Sequence, residues 1–187
     1  PDAEALAQAE RRRAAWLAEM EPCLAADAEP DLVGPAVARW LDRWEDGRIK
    51  LFCTAALLRR RRQLTPLFLR GAYEALDVAG ASAGHLIAIA RHDARHVVIA
   101  LTPRLVATLC GAGAMAPVGA SAWKDTVVVL PNAWRQLSFR NVITGEQIDP
   151  QVPHDRPALQ PDRPVLQVAN ALSILPVALL EARIAEA

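Results

Sequence analysis

In the first third of the chain, apolar residues recur three and four positions apart and runs of β-branched residues are absent, which is the pattern of helices with one buried face. Over residues 2–23 an alanine-rich helix is predicted. Its stripe is Trp16, Leu17, Met20 and Leu24, with Arg11, Arg12, Arg13, Glu19 and Glu21 left to solvent and Pro22 near its end. A second helix is predicted with Pro35 in its first turn after Gly34, because Val37, Trp40, Leu41 and Trp44 fall at i, i+3, i+4 and i+7. A third follows Asp46, a capping side chain, and the permissive Gly47. It carries Ile49, Phe52, Cys53, Ala56 and Leu57 on one face, runs into Arg59, Arg60, Arg61 and Arg62, and is expected to stop at Pro66.

From Gly71 the pattern becomes short aliphatic runs punctuated by Gly, Pro, Asp and Asn, as in antiparallel strands and turns. Strands are predicted near 72–79, 85–91, 96–102, 126–130, 134–138 and 176–181. His92-Asp93-Ala94-Arg95 forms a polar tip between two of these runs, and Thr144-Gly145 a turn inside a further hairpin. Residues 168–175 read as a short helical turn. The Gly/Ala-rich stretch 111–122 and the proline-rich stretch 149–164 read as surface excursions. Helices followed by strands, without alternation, predict an α+β protein: a helical segment over 1–66, then an antiparallel, sandwich-like all-β domain over 67–187. Trp16, Trp40, Trp44 and Phe52 are many aromatic rings for so short a helical segment, and they call for packing on one another, on the sheet or on a neighbour.

The composition narrows the function classes. With 187 residues, 21 Lys+Arg and 21 Asp+Glu, the formal net charge is zero, so no long-range field draws the protein to nucleic acid or to an anionic membrane. Hydrophobic residues make up 52%, yet runs such as 97–101 and 126–130 are far short of the roughly 20 residues of a spanning helix, so a soluble protein is expected. Cys23, Cys53 and Cys110 are odd in number and widely spaced, which fits free thiols in a reducing compartment and makes cytoplasm the expected location. The chain opens at Pro1 with no charged segment ahead of an apolar one, and reads as a cut start without a signal peptide.

Local motifs supply little chemistry. His92 and His96 have the i, i+4 spacing of helical metal ligands but fall across a hairpin tip, while His85 and His154 have no ligand-type neighbours at coordinating spacing. Gly119-Ala120-Ser121-Ala122 lacks the second glycine of a nucleophile elbow, and Gly111-Ala112-Gly113-Ala114 lacks the Lys-Ser/Thr of a phosphate loop. The arginines 59–62 suit the negative end of a helix dipole. Asp77, Asp93 and Asp125 stand apart, with no local pair of carboxylates. No catalytic, metal or cofactor site is predicted.

One ordered series of segments is more specific. Asp46-Gly47-Arg48-Ile49-Lys50-Leu51, then Leu57-Leu58-Arg59, Pro66-Leu67-Phe68 and Gly71-Ala72-Tyr73, resembles the end of malto-oligosyltrehalose synthases of the α-amylase superfamily. His85-Leu86-Ile87-Ala88-Ile89-Ala90-Arg91, Pro103-Arg104-Leu105, Trp123-Lys124-Asp125-Thr126, Asn141-Val142-Ile143-Thr144-Gly145-Glu146 and Pro176-Val177-Ala178-Leu179-Leu180 are similar to successive landmarks of that family's C-terminal β domain, and Glu10-Arg11-Arg12-Arg13 before Trp16-Leu17 to its upstream segment. The resemblance implies that residues 1–66 are the tail of a barrel-type catalytic domain. The parent enzyme would turn the reducing-end α-1,4 linkage of a malto-oligosaccharide into an α,α-1,1 linkage by intramolecular transglucosylation, without a cofactor. Its three catalytic carboxylates belong to a barrel that precedes the matching segments, so no catalytic residue is carried over and this chain is expected to be inactive alone. Its expected partners are the barrel and, through the barrel, the malto-oligosaccharide. Candidate substrate contacts are Arg48 and Lys50, against a reading in which Asp46 caps the helix and the cations pair with a neighbouring helix, and Trp123 and Trp134, against packing in the core. The alternatives are an independent α-glucan-binding β module and a docking domain.

Overall fold

Helix α1 (Ala3–Met20) starts where the Asp2 side chain accepts a hydrogen bond from the Ala5 amide at 2.7 Å, and it passes into a 3-10 turn, Glu21–Leu24, that begins around Pro22. The structure is a computed structural model that describes residues 2–25, 27–110, 116–153 and 162–185. Helix α2 (Pro30–Leu41) begins earlier than its pattern predicts. Pro30 takes the first-turn position, which leaves Pro35 inside the helix. Val33, Val37 and Trp40 are buried, but the helix ends at Leu41, so the periodic stripe does not reach Trp44. That residue falls in the 3-10 turn Trp44–Asp46 and is 54% exposed. Gly47, at φ 83°, then reverses the chain into α3 (Arg48–Gln63), and the Asp46 carboxylate accepts from the Arg48 amide at 2.8 Å. Helix α3 ends by itself at Gln63. Pro66, expected to stop it, instead opens a fourth helix, α4 (Thr65–Arg70), where a proline costs no hydrogen bond.

The fold is α+β, and among the described residues the strands form two antiparallel sheets. They are β1 (Ala72–Ala75), β2 (Val78–Ala79), β3 (Leu86–His92), β4 (His96–Pro103), β5 (Val127–Val129), β6 (Phe139–Asn141), β7 (Gln147–Ile148), β8 (Val165–Gln167) and β9 (Ala178–Arg183). The six-stranded sheet has the order β1-β3-β4-β9-β6-β7 and the three-stranded sheet the order β2-β5-β8. The predicted strand over 72–79 is therefore two strands in different sheets. Leu76 turns into the core between them, and the Asp77 carbonyl accepts from the Val129 amide at 2.8 Å. The predicted strand over 134–138 is absent. Trp134 closes a 3-10 turn, Asn132–Trp134, and strand geometry resumes only at Phe139. Part of the expected excursion over 111–122 is also internal: Pro117 is buried, and α5 (Gly119–Trp123) packs Ala122 against the core just before the buried Trp123. The short helical turn is present as α6 (Val168–Ala171), and the Thr144-Gly145 turn joins β6 to β7. Gly111-Ala112-Gly113-Ala114 and His154 lie outside the described residues.

Burial alternates along β3, as the pleat requires, and along β4 except at Val98, which the helices cover on the outer face. Ala88, Ala90, Val97, Ile99, Leu101 and Leu180 face inward, onto a core shared with Trp123, Leu130, Trp134, Phe139, Leu166 and Leu172. A second core lies under the helices, where the Trp40 and Phe52 rings meet at 5.0 Å between centroids beside Met20, Val33 and Val37 and against Ile143 and Leu175 of the β region. On the outer face of the large sheet, Leu64 and Leu67 pack on Val98. Beyond those helices the outer face is mainly apolar, with Thr102 and Arg91 as polar members. Ala75, Ile89, Ala100 and Leu179 are in register across four strands, with Ile87 and Tyr73 exposed on the same face.

Candidate functional site

The first turn of α3 sets Arg48 against α1. Its Nη1 lies 3.6 Å from Glu19, its Nε lies 3.3 Å from Asp46, and its guanidinium sits 5.2 Å from the centre of the Trp16 ring, which Arg12 also approaches at 5.1 Å. The structure thus joins Arg48 to a neighbouring helix. Lys50 is exposed, and its ammonium makes no hydrogen bond or ion pair with a described residue.

The tryptophan candidates stand elsewhere in the fold and are not brought together with Arg48 and Lys50. Trp123 is 0% exposed, and its Nε1–H donates to the Pro117 carbonyl at 2.8 Å. Trp134 is buried, with the His92 ring edge-on at 5.3 Å. An indole with no accessible face cannot stack on a sugar ring, so both correct the stacking expectation in favour of packing. The segment after Trp123 is a clasp. Asp125 accepts from the Ala81 amide at 2.9 Å, the Thr126 hydroxyl from the Ser82 amide at 3.0 Å, and the Ser82 hydroxyl donates to the Ala122 carbonyl at 2.9 Å. Lys124 takes the unusual φ of 49° to make the turn, and Gly80, at φ 110°, faces it so closely that a Cβ there would lie 2.7 Å from the Thr126 Cα.

The histidines do not converge. His92 Nε2 lies 3.6 Å from Glu74, and His96 Nδ1 lies 3.7 Å from Asp93. Among the described residues no group of three or more His, Cys, Asp and Glu could hold a metal ion. The Asp93 carboxyl is partly desolvated, which by itself raises its pKa. Hydrogen bonds from the Arg95 and His96 amides, with the electrostatic effect of the same two side chains, outweigh that and bring it below the ordinary aspartate value. Burial pushes the Cys53 thiol up to about 11, against a smaller backbone contribution, and raises Cys23 with Arg39 opposing.

The arginine run does more than cap a helix. Arg59 makes a two-bonded pair with Glu21, at 2.8 and 2.7 Å, which lowers the Glu21 pKa and raises that of Arg59. Arg60 grips both oxygens of Glu181, a carboxylate only 7% exposed on β9. Arg140 of β6 donates to the Ala28 carbonyl. Arg59, Arg60, Arg140 and Glu181 edge a cavity of about 230 Å³ between the Glu21–Leu24 turn, α3 and the β6–β9 region of the sheet. The one visible sign of it in the sequence is Glu181, a carboxylate set among the apolar residues of the last strand.

No family model matches the chain, and no curated protein does. Among solved structures, a mutant of maltooligosyltrehalose synthase from Arthrobacter ramosus matches it at 28% identity and a TM-score of 0.51, over 80% of this chain and 17% of that one. The chain is distantly related to that enzyme. It spans less than a fifth of that protein's length, so the relationship concerns one part of it. No helix among the described residues is long and apolar enough to cross a membrane.

Proposed function

We propose that this chain is the C-terminal portion of an enzyme of the malto-oligosyltrehalose synthase type, and that its own contribution is structural. The likeness to the Arthrobacter ramosus enzyme, at 28% identity over most of this chain, carries the reading. On this view residues 1–66 are the tail of a barrel-type catalytic domain and 67–187 the C-terminal β domain. The whole enzyme acts in the cytoplasm without a cofactor and has no nucleic-acid or membrane partner. Its chemistry is an intramolecular transglucosylation in the barrel. A carboxylate nucleophile and a carboxylic acid break the reducing-end α-1,4 linkage, and the released glucose, kept from water, attacks through its own anomeric hydroxyl.

The outer face of the large sheet supports a covering role. A solvated sheet face is normally polar, whereas this one carries Ile87, Ile89, Ala100, Leu179 and Tyr73. The test is to express the complete gene product that contains this chain and incubate it with maltopentaose. Loss of reducing ends, with a terminal α,α-1,1 linkage in the product and no turnover by the 187-residue chain alone, is the expected result. Intact reducing ends with the complete product would overturn the reading. The same apolar face favours a second reading, a module that docks on a partner or on α-glucan independently. Retention of the isolated chain on immobilised amylose would select that reading.

A further inference from the structure

The cavity beside α3 belongs neither to the tryptophan candidates nor to the Arg48 corner. Part of its lining is apolar, made by Ala28, Val33 and Ala56. The lining also gathers arginines from three elements, Arg59 and Arg60 of α3, Arg140 of β6 and Arg183 of β9, against Glu181 as the one carboxylate among the described lining residues. In a chain of zero net charge this is a local concentration of cations. Glu181 is spent on Arg60, and both groups are held by that pair. Arg59 gives Glu21 one bond from each terminal nitrogen, leaving further N–H groups of its fork unused. The Arg183 side chain, exposed at the rim, makes no hydrogen bond or ion pair with a described residue.

We infer that this cavity binds a small phosphate-bearing anion, its phosphoryl oxygens received by Arg183 and Arg59 and the rest of the ligand lying along Ala28, Val33 and Ala56. Guanidinium forks pair with planar carboxylates and with phosphates alike. A carboxylate offers two oxygens in one plane, as Glu181 and Glu21 do for one arginine each. Forks arriving from a helix and from a strand suit a tetrahedral group, whose oxygens point in different directions. A ligand held there bridges the helical layer and the sheet, so it stabilises the folded chain by mass action. This inference is independent of the proposed enzymatic role.

The test is a titration of the 187-residue chain with inorganic phosphate and, separately, with glycerol 3-phosphate, at ionic strength held constant with sodium chloride. Calorimetry and thermal unfolding are the readouts. Saturable binding is expected, weakened at least about tenfold by Arg183→Ala and unchanged by Arg12→Ala, which removes a cation from α1 well outside the cavity. Ala56→Leu, which fills the apolar part of the lining and leaves every charge in place, is expected to weaken the ester more than the free ion. Cys23 lines the same cavity, so phosphate should also slow its alkylation. Tighter binding of the ester assigns an esterified ligand and tighter binding of phosphate the free ion, and either upholds the site. Absence of saturation up to about 10 mM, or equal losses from Arg183→Ala and Arg12→Ala, would overturn it as mere ionic screening.

Discussion

Arg60, in the last turns of α3, places its Nε and one terminal nitrogen on the two carboxylate oxygens of Glu181 in β9, a residue 121 positions further along the chain. The pair ties the helical layer to the middle of the large sheet. Removing Arg60 strands a buried carboxylate, so Arg60→Ala is expected to cost about 3 kcal/mol. Replacing both partners, by Arg60→Met with Glu181→Leu, should recover most of that loss. Urea unfolding of the two singles and the double decides it, and strictly additive losses would show that the pair is not coupled.

Trp123 is a core side chain whose indole N–H is satisfied by Pro117. Trp123→Ala should destabilise the chain by about 3–5 kcal/mol through the cavity it opens. The thermal midpoint is the measurement, and a variant as stable as the parent would contradict the burial.

Asp93 holds the β3–β4 hairpin tip through the amides of Arg95 and His96, each at 2.8 Å. Its folded pKa lies below the ordinary 3.8, so its stabilisation is fully present above 3.8 and is lost as pH falls through the lower folded value. Protection of the Arg95 and His96 amides, relative to their intrinsic exchange rate at each pH, should therefore fall in the wild type only below about pH 4, and Asp93→Asn should flatten that dependence.

Cys53, with its thiol pushed up to about 11, should react with iodoacetamide at pH 8 on the order of a hundred times more slowly than in the unfolded chain. Peptide mapping after timed alkylation gives the ratio. Equal rates in the two states would mean that the buried environment is not maintained.

The uncovered outer face should tolerate charge in the isolated chain. Ile87→Lys, at a position already 40% exposed, is expected to leave the unfolding midpoint within about 0.5 kcal/mol of wild type and to improve solubility. In the complete gene product the same change should weaken stability if this face is covered there. Identical behaviour in both contexts would remove the covering role.

Local periodicity made the helices legible, because Val37 with Trp40 and Ile49 with Phe52 carry their burial pattern within one or two turns. The His92–His96 hairpin was legible for a similar reason, since its turn chemistry sits between two long alternating runs. Strands of two or three residues, such as Val78–Ala79 and Val165–Gln167, are too short to show alternation, so the small sheet emerges only from tertiary contacts, whereas the β6–β7 hairpin is marked in the sequence by its Thr144-Gly145 turn alone. Trp44 and Pro35 misled because a periodic pattern does not fix where a helix starts or stops. The arginine-lined cavity was invisible for a different reason. Its walls come from the Glu21–Leu24 turn, α3 and β9, and no local spacing encodes their meeting.

Strand β9 lies between β4 and β6 in the large sheet, although it is the last described strand to leave the ribosome. Until Ala178–Arg183 emerges, β1, β3 and β4 form one half of the sheet and β6 with β7 another, with their facing edges open and the Arg60 guanidinium lacking its carboxylate. From the emergence of β6 until that of β9 the nascent chain therefore carries two exposed edges and an incomplete core, and it closes late, through contacts distant in sequence. Premature termination a few codons before Ala178 would release a sheet in two pieces rather than a slightly shortened protein.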